Sequence, residues 1–139
     1  PISGSTARLC GAMNVKLDIV GNIGFELTDS RLKRAGLDYW DHIEWKYHAD
    51  RDSYISELVK KRFHFLSTKS DKPYTKCEFK DGDYLVFGSE TAGIEESLLK
   101  KYWDNTCTIP MINPNIRSLN LATSVGIVLY EALRQTDAY

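Results

Sequence analysis

Three short stretches of this 139-residue sequence place small and polar residues where a ligand could meet the backbone. They are Ser67-Thr68-Lys69, Gly88-Ser89-Glu90-Thr91-Ala92-Gly93 and Ser118-Leu119-Asn120. Each lies downstream of an apolar run: FHFL, YLVF and CTIP. If these runs are parallel strands, the three stretches share the carboxyl edge of one sheet, where open α/β sheets bind ligands. Gly88 and Gly93 allow close approach to the backbone, and the hydroxyl and amide side chains supply hydrogen bonds. Each stretch also has a plain structural reading, the glycines as turns and Ser118 as a helix N-cap. Their convergence on one predicted site favours a ligand.

Other chemistries find no support. GSETAG at 88–93 lacks the Lys-Ser/Thr of a P-loop. GNIGF at 21–25 lacks the spacing of a dinucleotide fingerprint. There is no GxSxG elbow. His42, His48 and His64 are not set among carboxylates or cysteines at ligand spacing, so they read as structural or surface groups and no metal is expected. Cys10, Cys77 and Cys107 are three and widely spaced, which suits reduced thiols in a cytoplasmic protein better than a disulfide framework.

The elements that must position the three stretches follow from periodicity. Residues 5–13 read as a short helix around Arg8, and Val15, Leu17 and Ile19 alternate as in a strand. Asp29-Ser30 can cap a short basic helix that stops at Gly36. A strand is expected over 43–47, then a helix capped by Asp52 or Ser53 and running to Arg62. Further strands are expected over 63–67, 84–88 and 107–111, the middle one covered on both faces because its apolar run is nearly continuous. Asp81-Gly82-Asp83 reads as a turn. A helix is expected over 95–102, and a last one burying Leu121, Val125, Val128, Leu129 and Ala132. Alternating strands and helices predict one α/β domain over 1–139, with a mainly parallel sheet flanked by helices on both sides.

Charge decides little globally: 18 basic and 19 acidic residues leave a net charge of -1. Nucleic-acid binding would have to use local clusters, such as Arg31, Lys33 and Arg34, or Lys60, Lys61 and Arg62, or Lys100 and Lys101. No apolar run reaches the length of a membrane span, and no secretory signal is visible.

The order of GSETAG and then IPMINPNIRSLNLATSVGIVLYEA resembles the second and third motifs of the SPOUT, or α/β-knot, methyltransferases. ARLC at 7–10 resembles the end of their first motif. RLKRAGLDYW at 31–40 is similar to the signature of the small TrmL/YibK-like subgroup, which 2'-O-methylates the wobble nucleotide of tRNA. The resemblance covers essentially the whole chain. It implies a C-terminal deep trefoil knot, a rare exception among folds, whose loops bind S-adenosylmethionine. It implies methyl transfer to the ribose 2'-hydroxyl of nucleotide 34, a cytidine or uridine, in the tRNA anticodon loop. Same-fold alternatives are methylation at another tRNA or rRNA site, or a catalytically silent RNA-binding knot domain.

By motif position, the resemblance gives Leu66, Gly88, Ile109 and Ser118 to the cofactor, with Leu119, Asn120, Glu90 and Gly93 completing the pocket. Leu66 and Ile109 would be apolar walls, and Gly88 would let the cofactor meet the backbone. Asn120 could equally anchor the knot loops. Arg8 matches the catalytic arginine; a guanidinium is a poor base, so orienting the ribose or phosphate is its expected part, with direct base action as the alternative. Arg31, Lys33, Arg34 and Tyr130 are candidates for RNA contact. Family members of this size are homodimers, and Ala122, Ser124 and Gly126 are small enough for close packing at an interface. The first motif departs from the pattern: Ile2 stands where Asn is expected, and the apolar strand that should precede it is not in the chain.

Overall fold

The computed structural model describes residues 4–21, 41–89 and 92–139. The chain divides into two compact units, Pro1–Glu57 and Leu58–Tyr139.

The first unit begins with helix α1 (Gly4–Ala12), which buries Thr6, Ala7 and Cys10. Gly11 lies against Ile43: a Cβ there would sit 3.0 Å from Ile43 Cγ1. Strands β1 (Leu17–Val20) and β2 (Trp45–His48) pair in parallel, Leu17 opposite Trp45 and Val20 opposite His48. Helix α2 (Arg51–Leu58) follows. Its cap is Asp50, not Asp52 or Ser53. The Asp50 carboxylate accepts from the Ser53 backbone N–H at 3.1 Å and its hydroxyl at 2.8 Å, which satisfies a donor that the helix start leaves open. These bonds hold the Asp50 carboxyl below its ordinary pKa.

Helix α2 also stops earlier than the expected Arg62. The Lys61 N–H turns back to the Leu58 carbonyl at 2.9 Å, and the Arg62 carbonyl accepts from Tyr84 N at 3.0 Å. Lys60, Lys61 and Arg62 therefore do not form a helical basic face. Arg62 is committed to Asp83, and Lys61 Nζ stands 5.1 Å over the Tyr84 ring.

The second unit is built on a parallel three-stranded sheet of β3 (Phe63–Leu66), β4 (Tyr84–Phe87) and β5 (Thr106–Cys107), in the order β4-β3-β5. Central β3 is buried at three of its four residues, with Phe65 fully enclosed, and both residues of β5 are buried. All four residues of β4 are only half-buried, so the expectation that both its faces are covered fails. Among the described residues β4 pairs on one side only, with β3. Helix α3 (Glu96–Lys101) precedes β5, and α4 (Leu121–Gln135) ends the architecture. Val125, Val128 and Leu129 are the buried stripe of α4, while Leu121 and Ala132 are half-buried. The stripe meets a core of Leu66, Cys77, Phe79 and Cys107, with Ile109 and Ala132 packed against it.

All recorded strand pairs are parallel, as the alternation of elements predicts, and among the described residues they form two sheets, one in each unit. The basic helix expected before Gly36 lies outside the described residues.

Candidate functional site

The carboxyl ends of β3, β4 and β5 converge with the first turn of α4 on a cavity of about 670 Å³. Several bonds hold its walls. Ser67 N donates to the Cys107 carbonyl at 3.0 Å, tying the loop after β3 to the end of β5. Thr108 N donates to the Lys72 carbonyl and Tyr74 N to the Thr108 carbonyl, each at 2.8 Å, so residues 72–74 continue the sheet beside β5. The loop after β4 folds back on itself, with Gly93 N donating to the Ser89 carbonyl at 3.1 Å and Ala92 N to Ser89 Oγ at 3.0 Å.

Gly88 is required inside that fold. A Cβ on it would lie 2.3 Å from the Gly93 carbonyl carbon and 2.5 Å from Ile94 N, distances no backbone tolerates. Gly88 thus admits the close approach of its own loop while also lining the cavity. Gly93 adopts φ +68, a left-handed conformation that favours glycine.

Leu66, Gly88, Gly93, Ile109, Ser118, Leu119 and Asn120 all line this one cavity. Glu90 lies outside the described residues. The lining is mixed in a useful way. Phe87, Ile94, Met111 and Leu121 add apolar surface to Leu66, Ile109 and Leu119, and Ser67, Thr68, Ser89, Thr108 and Ser124 add hydroxyls. That set suits a ligand with a flat apolar part and several hydrogen-bonding groups. Ser67, Thr68 and Ser89 belong to the stretches that the sequence singles out; Phe87, Ile94, Thr108, Met111 and Ser124 flank the motif positions, and their place beside a strand end or at a helix start is the signal that could have found them. Ser124, one of the small residues of α4, also lines the cavity.

Asn120 caps α4. Its Oδ1 accepts from Thr123 N at 3.0 Å, and its carbonyl accepts from Ser124 N at 3.0 Å. Ser118, the N-cap of the plain structural reading, is not the cap; it stands two residues earlier, exposed on the approach loop.

The remaining candidates lie elsewhere. Arg8 is exposed on α1 in the first unit. Tyr130 is half-buried on α4, stacked at 6.0 Å against Tyr139, whose hydroxyl donates to the Tyr130 carbonyl at 2.9 Å. Arg31, Lys33 and Arg34 fall outside the described residues. Lys100 pairs weakly with Glu96 at 4.0 Å, and Lys101 covers the Tyr102 ring.

Just before the start of β4, Asp83 organises a polar cluster that the sequence shows only as a turn. Its carboxylate takes two bonds from Arg62, at 2.7 and 3.1 Å, one from His64 at 2.8 Å and one from Lys80 N at 2.9 Å. Burial pushes this carboxyl up, but the four donors outweigh burial and hold it at about 2. His64 shows the same balance: burial lowers its pKa, and bonding to Cys77 and Asp83 raises it further. Cys77 and Cys107 share one core; interaction with the neighbouring thiol, His64 and Lys72 lowers the Cys77 thiol, while the same neighbour and burial raise that of Cys107.

Among the described residues no cluster of His, Cys, Asp or Glu is placed to hold a metal ion, and no helix is long and apolar enough to cross a membrane.

A family model, the SpoU rRNA Methylase family, matches residues 3–130 and so runs across both units. The chain belongs to this family. Within it, the similar relatives are more specific. A tRNA (cytidine(34)-2'-O)-methyltransferase of Saccharophagus degradans is 40% identical over 136 residues, covering 97% of this chain and 88% of the relative. The enzyme of the same name from Methylovorus glucosotrophus is 38% identical over 138 residues, covering 99% and 89%. Among solved structures, one concerned with 2-OH methylation of C/U34 on tRNA superposes with a TM-score of 0.84 at 38% identity, over 95% of this chain and 86% of that one. A Bacillus anthracis structure superposes with a TM-score of 0.88 at 35% identity, over 97% and 86%. The mixed α/β fold with parallel strands is thus that of the SpoU methyltransferases.

Proposed function

We propose that this chain is a tRNA ribose 2'-O-methyltransferase, acting on the wobble nucleotide 34 with S-adenosylmethionine as donor. The observation that carries this is the near full-length match to enzymes named for that nucleotide, joined to a cavity where the motif residues meet. When bound, the cofactor supplies an activated methyl group, which moves from its sulfonium to the ribose oxygen as the hydroxyl proton leaves.

The chain's own part is positioning and electrostatics. Leu66, Ile109 and Leu119 give apolar walls suited to an adenosine, and the hydroxyls of Ser118 and Ser124 suit its polar edges. The folded-back loop held by Gly88 sets the cavity's width. Arg8 is assigned to the ribose side by its place in the first motif. A guanidinium is a poor base, so Arg8 orients the substrate and eases proton loss more readily than it accepts the proton. Arg31, Lys33 and Arg34 are assigned to tRNA phosphates, contacts that position without reading sequence. Tyr130 is a further candidate there.

The two units are read as one methyltransferase domain because the family model runs across both. A C-terminal knot, a homodimer, the anticodon loop as the place of docking and a cytoplasmic site of action belong to the same reading.

The test is methyl transfer from labelled S-adenosylmethionine to bulk tRNA, with the modified nucleotide mapped, for the protein and for Arg8→Ala. Label at the 2'-O of nucleotide 34, lost in the variant, is the expected result. Cofactor binding without transfer to any RNA would leave a silent RNA-binding domain in its place.

A further inference from the structure

We propose that Arg117 holds the phosphodiester on the 3' side of the nucleotide whose 2'-hydroxyl is methylated. This rests on the methyltransferase reading above and adds to it a residue that the motif match does not assign.

The starting point is the charge of the cavity. Among its described lining residues the charged ones are Lys69 and Arg117, and no Asp or Glu is among them. S-adenosylmethionine carries one carboxylate against an ammonium and a sulfonium, so it is a net cation. Two protein cations beside a net cation repel it unless they face other anions. Lys69 has one within the protein: its Nζ stands 3.9 Å from Glu96 Oε2. Arg117 is exposed on the cavity wall, and no ion pair joins it to a described carboxylate. The substrate supplies the missing anion, since every RNA nucleotide brings one phosphate.

Chemistry narrows which phosphate. The 2'-oxygen and the 3'-oxygen are borne on adjacent ribose carbons, so a grip on the 3'-phosphodiester holds the 2'-hydroxyl with only the 3'-oxygen and those two carbons between. A guanidinium presents a planar fork that matches two phosphate oxygens. The backbone brings this fork to the right place. Asn113 closes the loop ahead of it, accepting from Asn115 N at 2.9 Å through Oδ1 and from Ile116 N at 3.2 Å through its carbonyl. Arg117 then stands one residue before Ser118 and three before the cap of α4, so cofactor wall and phosphate clamp share one short segment.

The experiment uses full-length tRNA carrying a single Rp or Sp phosphorothioate in place of the phosphate 3' to nucleotide 34, a change that leaves the neighbouring 2'-hydroxyl and the strand intact. The protein, Arg117→Ala and Arg117→Lys are compared with natural and substituted tRNA. S-adenosylhomocysteine affinity is measured separately by calorimetry. For the unaltered protein, sulfur in place of a gripped oxygen should lower kcat/KM several-fold for at least one diastereomer. R117A should be slowed by about 10- to 100-fold on natural tRNA, the range of a charged hydrogen-bonded contact, respond no further to the sulfur, and keep its cofactor affinity. R117K should fall between, because an ammonium retains the charge without the fork.

An R117A enzyme that remains as sensitive to the phosphorothioate as the unaltered protein, or an unaltered protein indifferent to both diastereomers, overturns the assignment. So does a loss of S-adenosylhomocysteine affinity, which would give Arg117 to the cofactor carboxylate. Absence of transfer by the unaltered protein to natural tRNA removes the methyltransferase reading itself, and the Arg117 assignment with it.

Discussion

Gly88 and Gly93 meet backbone to backbone: a Cβ on Gly88 would fall 2.3 Å from the Gly93 carbonyl carbon. The two glycines of GSETAG thus do different work. Gly88 makes room for the returning chain, and Gly93, with φ +68 and nothing within 4 Å of an added Cβ, supplies the turn.

Gly88→Ala should therefore open the loop and spoil the cavity, lowering methyl transfer on the order of 100-fold, as ångström-scale misplacement does. Gly93→Ala meets no obstacle beyond its backbone conformation and should cost about 1–2 kcal/mol of stability. Thermal melts and S-adenosylhomocysteine titration of both variants separate the two effects. Equal loss of ligand binding in both would contradict this division.

Asn120 bears on both stability and ligand. Because its Oδ1 is engaged by Thr123 N, Asn120→Ala should cost about 1 kcal/mol, the ordinary value of an N-cap. Asn120→Asp preserves the cap and should melt like the parent. Denaturation midpoints of the two variants, read side by side, check this; a destabilised N120D would mean that the amide nitrogen matters as well.

The cluster around Asp83 predicts a pH profile. A carboxyl held at about 2 in the folded chain contributes stability that is complete above its unfolded value of about 3.9. That contribution is lost as pH falls toward 2. His64 has the opposite sign: its raised pKa adds stability below the unfolded value of about 6.5, lost as pH rises through the folded value. Together they place a stability plateau between about pH 4 and 6.5. Melting temperatures across pH 2 to 9 should trace that plateau, and Asp83→Asn should flatten its acid edge.

Asp83→Asn should also be costly at neutral pH. The Asp83 side chain is 4% exposed, and its loss leaves His64 and Arg62 without their carboxylate. Removing one partner of a buried pair costs about 3 kcal/mol or more. Urea denaturation measures it; a loss close to zero would show that the cluster relaxes into solvent through Arg62, which is 53% exposed.

Much of this architecture was legible in the chain, for local reasons. The apolar runs FHFL and YLVF form strands because β-branched and aromatic residues suit a pleated surface. The α4 stripe of Val125, Val128 and Leu129 keeps helical spacing whatever it packs against. The three stretches after the strands meet in one cavity because parallel strands bring all their carboxyl ends to one edge. Caps and ends were less legible. Asp50, Asp52 and Ser53 are all good caps, and only backbone geometry chose Asp50.

What the tertiary structure alone decided is long-range. Nothing near Asp83 in sequence announces that Arg62 and His64, 21 and 19 residues away, converge on its carboxylate. Nothing in YLVF shows that its partner among the described strands is FHFL, since pairing joins segments distant in sequence. Arg117 reads in sequence as one more loop cation; only the meeting of β3, β4, β5 and α4 places it in the cavity wall. Periodicity and turn chemistry act over a few residues, whereas partnership across the fold depends on packing that no local pattern encodes.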